Sequence, residues 1–348
     1  MVRRALFVVL CAGVIALSGC AGTYDDPNAP PAPDDTAGWA LRFPESRWTT
    51  AWGTSSESAR DAELDARAQV SARVRSSIRA ETTSLARAVM RNEDVNDFQE
   101  LVSEVTQTTE FSRAELIRAV DPTAHTEDGQ YRVLAVLDRH ELASILQVDY
   151  DEAAVSWRSV GIALNEAQGD LPAWTAAWHR FLGEFAGVVA VAGEIRGTTG
   201  LNPDGYRSDQ ARWRAAHADR DSVLGDLDLV LTVAPTEGLD PAELSERLAA
   251  GFAQLGVTAR GGRCGDGATT LRLEPVLTWT TVIGKVVSLE LRGTIGPCAG
   301  DEMWSEVVIE GSALRGDGRD PAKDLLDSMT AQELEPLLRE SLGHVVPF

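Results

Sequence analysis

Apolar and polar positions divide this chain into segments of different period. Ala5 to Ala16 is a short apolar run behind Arg3 and Arg4, closed by Leu17-Ser18-Gly19-Cys20. The run is too short to cross a bilayer as a helix, so residues 1–19 read as a signal peptide, with small residues admitting a peptidase before Cys20. Residues 20–46 follow. Their acidic, proline-rich stretch Asp25 to Asp35 has no apolar period and predicts an extended, solvated tether. Trp48-Thr49-Thr50-Ala51-Trp52-Gly53-Thr54 alternates as a strand ending in a glycine turn, and Ser55 or Ser56 can cap the helix after it. Ala59, Ala62, Leu64, Ala66, Val70 and Val74 give that helix a small-residue face suited to a sheet. Val74 to Met90 fits either a continued helix or a strand rich in threonine and serine. Phe98, Leu101, Val102 and Val105 mark a second amphipathic segment. Ala114–Val120 and Tyr131–Leu137 predict a hairpin with a long polar loop over 121–130.

From Glu141 to Ala192 the period is helical, broken at Gly169-Asp170-Leu171-Pro172, where Asp170 can cap and Pro172 suits a first turn. Trp157, Val160 and Leu164 then face Trp174, Trp178, Phe181 and Phe185 across a helical hairpin assigned to 148–196. Gly197 to Asp221 predicts an exposed loop with at most one short helix, a linker over 197–225. Strands are predicted at Leu227–Val233, Val257–Arg260, Thr270–Thr281, Val286–Ile295 and Glu302–Glu310. A helix capped by Asp240 spans Pro241–Leu255, and a closing helix spans Asp320–Leu342. The fold class this predicts is α+β: two small α/β sandwich domains, 47–147 and 226–348, each with helices on a mainly antiparallel sheet, joined by the α-helical hairpin.

Composition changes the picture in two ways. The formal charge of −21 disfavours nucleic acid and anionic lipid as partners of the folded part. Of the four cysteines, Cys11 leaves with the signal and Cys20 becomes the first mature residue. Cys264 and Cys298 remain, disulfide candidates in an oxidising envelope, with two free buried thiols as the alternative. No second apolar run is long enough to span a membrane, so the rest reads as periplasmic or surface-exposed globular protein.

Leu17-Ser18-Gly19-Cys20 resembles the lipobox of bacterial lipoproteins, which implies a diacylglyceryl thioether and an acylated amine on Cys20. Membrane attachment through that lipid follows, since more than one acyl chain gives a stable anchor. Ala21 in the second mature position resembles lipoproteins exported to the outer membrane. Three further features carry a family resemblance: the strand ending in glycine, the string Ser58-Ala59-Arg60-Asp61-Ala62-Glu63-Leu64-Asp65-Ala66-Arg67, and Gly129-Gln130-Tyr131-Arg132-Val133-Leu134-Ala135-Val136-Leu137-Asp138. Together they are similar to the LPP-twenty lipoprotein family and to the N-terminal domain of flagellar assembly protein T, over roughly residues 48–146. The resemblance implies a helix against a curved sheet in envelope lipoproteins without catalytic residues, so it transfers no functional residue. The helical pair resembles one tetratricopeptide hairpin. The C-terminal element order looks like periplasmic domains of outer-membrane lipoproteins that activate peptidoglycan synthases or assist secretion channels.

Catalytic templates find no support. His125, His140, His179, His217 and His344 are isolated, with no pair at metal-ligand spacing, and no P-loop, GxSxG elbow or dinucleotide fingerprint is present. Neither a cofactor nor a metal is expected. Asp317-Gly318-Arg319-Asp320 lacks the acidic spacing of a calcium loop. Three readings follow. The first is a non-enzymatic envelope lipoprotein acting as an interaction or assembly module on an envelope protein partner. The second is a module binding a small ligand or glycan, such as peptidoglycan, in a groove between the domains lined by some of Trp174, Trp178, Trp279 and Trp304. The third is an unfamiliar hydrolase using acidic residues.

Overall fold

The computed structural model describes residues 36–89, 111, 113–125, 129–265, 268–281, 285–299, 303–310, 314–316 and 321–348. Cys20 and the segment carrying Phe98, Leu101, Val102 and Val105 lie outside them. The fold is α+β, with helices on open sheets, and the chain divides into two compact units. One unit holds residues up to Val74 together with Phe111–His140. The other holds Arg75–Glu110 and everything from Glu141.

In the first unit, helix α1 (Thr36–Arg42) precedes strand β1 (Trp48–Ser55) and helix α2 (Ala59–Val89). A single 3-10 turn at Ala114–Leu116 leads into strands β2 (Arg118–His125) and β3 (Tyr131–Asp138). The sheet order is β1-β3-β2, with β3 antiparallel to both neighbours. Residues Val133 to Leu137 of β3 are buried without alternation, because both faces of the central strand are covered. On one face, Trp39 of α1 packs with Leu134 and Val136, flanked by Phe43, Trp48, Trp52 and Val120. The tether expected over 20–46 is therefore folded from Thr36: Trp39 and Phe43 stack four residues apart and supply the apolar surface that Asp25–Asp35 lacks.

The other correction in this unit concerns Gly53, which ends no turn. The strand runs through it, and a Cβ there would overlap the Ala62 carbonyl and the Ala66 backbone of α2. Helix α2 thus lies directly on the strand with Ala62, Ala66, Val70 and Val74 buried, whereas Leu64, expected on the same face, is 57% exposed because it stands two residues from Ala62 and Ala66 and so on the far side of the helix. Ser58 accepts from the Asp61 amide and caps α2, a few residues later than expected. The helix continues to Val89, which resolves the ambiguity at Val74–Met90 in favour of helix.

The second unit begins with the later turns of α2 and continues through helices α3 (Arg139–Glu166), α4 (Leu171–Thr199) and α5 (Tyr206–Asp226). Asp170 caps α4 by accepting from the Ala173 amide at 3.0 Å, as its position next to Pro172 predicted. Gly193 of α4 lets α2 approach so closely that a Cβ there would meet Thr82. The exposed loop expected over 197–221 is instead the 21-residue helix α5. Its buried stripe is Tyr206, Asp209, Trp213, His217, Arg220 and Leu224, a helical spacing concealed by three polar residues. The hairpin is thus a multi-helix bundle, with Trp157, Trp178, Phe181, Phe185 and Trp213 at its centre.

Strand β4 (Asp228–Val233), helix α6 (Pro241–Gln254) and strand β5 (Thr258–Gly261) form a parallel crossover unit, followed by β6 (Thr269–Thr281), β7 (Lys285–Pro297), β8 (Ser305–Glu310) and β9 (Leu314–Gly316). The six-stranded sheet has order β5-β4-β6-β7-β8, with β9 also on β7. β4 is parallel to β5 and β6, and the remaining pairs are antiparallel. Asp240 caps α6. The closing helix is two, α7 (Pro321–Ser328) and α8 (Ala331–Leu342), because a capping box between Thr330 and Glu333 restarts it. Leu244, Leu248, Phe252, Leu325, Leu334 and Leu338 cover one sheet face, and the chain end adds Val345, Val346 and Phe348 to that core. No described helix is long and apolar enough to cross a membrane.

Candidate functional site

The site lies wholly within the second unit, where the α3–α4 turn, one face of α5 and one end of the six-stranded sheet meet. Helix periodicity builds its long wall: Arg212, Ala215, Ala216, Asp219, Ser222, Val223 and Asp226 recur at three- and four-residue steps along α5, opposite the face that buries Trp213. Two clefts share Gln168, Trp174 and Asp219. The smaller, about 280 Å³, is bounded by Trp157, Arg158, Gly161, Asn165 and Phe181 of the bundle and Arg212 of α5. The larger, about 700 Å³, runs on past Leu171 and Asp226 to Ala268, Thr269, Pro297 and Trp304 at the sheet end.

Each wall is held in place by a named contact. Trp174 stacks on Trp178 at 5.6 Å, and Trp178 stacks in turn on Phe181 and Trp213. Trp304 enters β8 with its amide donating to the Ile295 carbonyl. Cys264 and Cys298 are bonded, with Cα atoms 5.3 Å apart, and the Cys298 amide donates to the Ala268 carbonyl at 2.8 Å. The disulfide therefore ties the loop before β6 to the turn after β7, and both strand ends line the larger cleft.

Beneath the smaller cleft, Asp209 accepts from the Tyr150 hydroxyl at 2.8 Å and from two guanidinium nitrogens of Arg158 at 2.8 and 2.6 Å. The Arg158 guanidinium is held above its ordinary range mainly by that hydrogen bond. Burial, with the Asp209 hydrogen bond second, keeps the Tyr150 phenol protonated far beyond physiological pH. Burial also pushes Tyr206 up to about 12. His217 sits 4.7 Å from the Trp213 ring centre and 5.0 Å from that of Trp178. Burial first and Arg220 second push it down to about 3, so it is a neutral imidazole. No group of three metal-ligating side chains occurs among the described residues.

Of the tryptophans expected to line one groove, Trp174 and Trp304 come together at the larger cleft. Trp178 is fully buried in the bundle and serves as the stacking base for Trp174, so it presents no face to a ligand. Trp279 lies opposite Val287 in the β6–β7 ladder, and its side chain is outside the described residues. The groove expected between two domains falls inside one unit, between bundle and sheet. Arg212, Asp219 and Asp226 were not anticipated, although their seven-residue spacing is present in the sequence.

No protein-family model matches the sequence, and no curated protein does. Among solved structures, a secreted protein from the human pathogen Helicobacter pylori aligns over 85% of this chain and 98% of its own at 11% identity, with a TM-score of 0.31. A minor lipoprotein from Acinetobacter baumannii aligns over 34% of this chain and 89% of its own at 13% identity, with a TM-score of 0.23. At these scores neither likeness carries an argument about fold or function.

Proposed function

We propose that the chain is a non-enzymatic bacterial cell-envelope lipoprotein, held at the outer membrane by lipidated Cys20, whose folded part is an interaction or assembly module. The observation that carries this reading is Leu17-Ser18-Gly19-Cys20 behind a basic start and a short apolar run. The LPP-twenty resemblance over residues 48–146 points the same way. A surface feature supports the interaction role: Val148, Val155 and Ile162 are 57%, 63% and 61% exposed at seven-residue intervals along α3. Single exposed apolar residues are ordinary, whereas three in register on one helix face form a narrow apolar seam open to a partner, and its Ile162 end also borders the smaller cleft. A photo-crosslinker at Ser159, within that row, should give one recurrent adduct with an envelope protein that Val155→Glu abolishes. Adducts that are absent, or indifferent to Val155→Glu, would refute the seam.

The second reading, a binding module for a small ligand or glycan, is favoured by one cleft that the half-buried Trp304 lines together with Gln168 and Ser222, with Trp174 buried in its wall. An aromatic ring beside hydrogen-bonding groups suits a ligand with apolar and polar sides. Calorimetry with peptidoglycan fragments should show binding that Trp304→Ala weakens. No heat from any fragment would remove the glycan form of this reading.

A further inference from the structure

The larger cleft borders one polar group that the fold does not use. Thr269, at the start of β6, is only 6% exposed and lines the cleft, yet its hydroxyl has no hydrogen-bond partner among the described residues. Its neighbour Thr270, on the other face of the strand, donates to the Val230 carbonyl at 3.3 Å. Unlike the orphan ring nitrogens of Trp157 and Trp213, which are fully enclosed, the Thr269 oxygen keeps accessible surface, and the cleft is the space it borders. A hydroxyl so nearly enclosed and unmatched within the protein is completed by an oxygen that enters from outside.

The rest of the lining says which kind of molecule brings that oxygen. Ser222 adds a second hydroxyl, Gln168 an amide, and the half-buried Trp304 an aromatic ring. Asp219 and Asp226 supply acceptors on one face of α5, roughly 10 Å apart along its axis, and no lysine or arginine lines the cleft. Two carboxylates without a cation repel an anionic ligand but accept strongly from hydroxyls. A bare cation would engage the carboxylates alone. A ring of hydroxyls also uses Thr269, Ser222 and Gln168, which can each donate and accept, while its C–H face suits Trp304.

We infer that this cleft binds an uncharged sugar of about disaccharide length, whose hydroxyls donate to Asp219 and Asp226, with one sugar oxygen on the Thr269 hydroxyl and one ring face against Trp304. The inference rests on the groove-binding reading above and narrows its ligand to neutral glycans, against carboxylate- or amine-bearing ones.

The test is calorimetric titration of the intact folded protein with the chitin disaccharide and two charged counterparts, its C6-carboxylate derivative and its de-acetylated diamine. The neutral disaccharide should bind about tenfold more tightly than the carboxylate, and the gap should narrow as salt screens the aspartates. Thr269→Val, which keeps the side-chain shape and removes the hydroxyl, should weaken the neutral sugar about tenfold. The same variant should melt no lower than the wild type, because it loses no hydrogen bond within the protein. Asp226→Asn, at an exposed side chain, should bring the carboxylate derivative closer to the neutral sugar. Either charged disaccharide binding as tightly as the neutral one, neutral binding indifferent to Thr269→Val, or a lower melting temperature for that variant would overturn the inference while leaving the groove reading standing. Absence of binding by all three would overturn both.

Discussion

Asp209 fixes the angle at which α5 meets α3. Its carboxylate, 1% exposed, is paid for by two Arg158 hydrogen bonds and one from Tyr150, so all three groups are satisfied only together. Asp209→Asn should destabilise the protein by about 2 kcal/mol, because a position 1% exposed loses its charge-assisted hydrogen bonds with Arg158, whose own side chain stays 35% exposed. Urea unfolding checks this, and a change within experimental error would contradict the account. His217 gives a pH dependence of defined sign. Its folded-state value is about 3, against about 6.5 when unfolded. Above pH about 6.5 both states are neutral. Below it the unfolded chain takes up the proton first, so stability falls as pH falls from about 6.5 toward about 3. Comparing urea midpoints at pH 7 and pH 5, the wild type should lose more than His217→Phe, and equal losses would show that His217 is not the titrating group.

At the scale of elements, strand β1 and helix α2 meet through Gly53, Ala62 and Ala66, and the fit leaves no room for a methyl group. Gly53→Ala should cost about 3 kcal/mol, since backbone rather than a flexible side chain must move. A melting temperature unchanged by that substitution would mean the helix is not seated as described. Much of this level was legible beforehand. The small-residue face of α2, the Asp170 and Asp240 caps, and the strand order from β4 to β8 all follow from local periodicity and capping chemistry. Other features did not. Helix α5 looked like a loop because Asp209, His217 and Arg220 occupy inward positions, and their partners lie on α3 and α4, far away in sequence. Helix α1 looked like tether because a seven-residue element draws its stability from tertiary contact with Leu134 and Val136. Of the site, the sequence offered tryptophans without their burial: Trp174 and Trp178 both lie in the core, and only Trp304 is half-buried at the larger cleft.

For the molecule as a whole, the disulfide is one covalent device and the proposed lipid on Cys20 is another. Cys264 and Cys298, 34 residues apart, hold the sheet end that walls the larger cleft. Reduction should lower stability by about 3 to 4 kcal/mol in the chain-entropy model. A thermal melt with and without reductant tests this, and coincident melts would show that the bond constrains nothing. The central claim concerns Cys20, since the reading as an envelope lipoprotein stands or falls with its lipid. The most direct measurement is membrane fractionation of cells expressing the wild type or Cys20→Ala, with mass spectrometry of the mature N-terminal peptide. The account predicts an acylated Cys20 peptide and outer-membrane retention in the wild type, both lost in Cys20→Ala. An unmodified Cys20 peptide, or retention that survives the substitution, would contradict it.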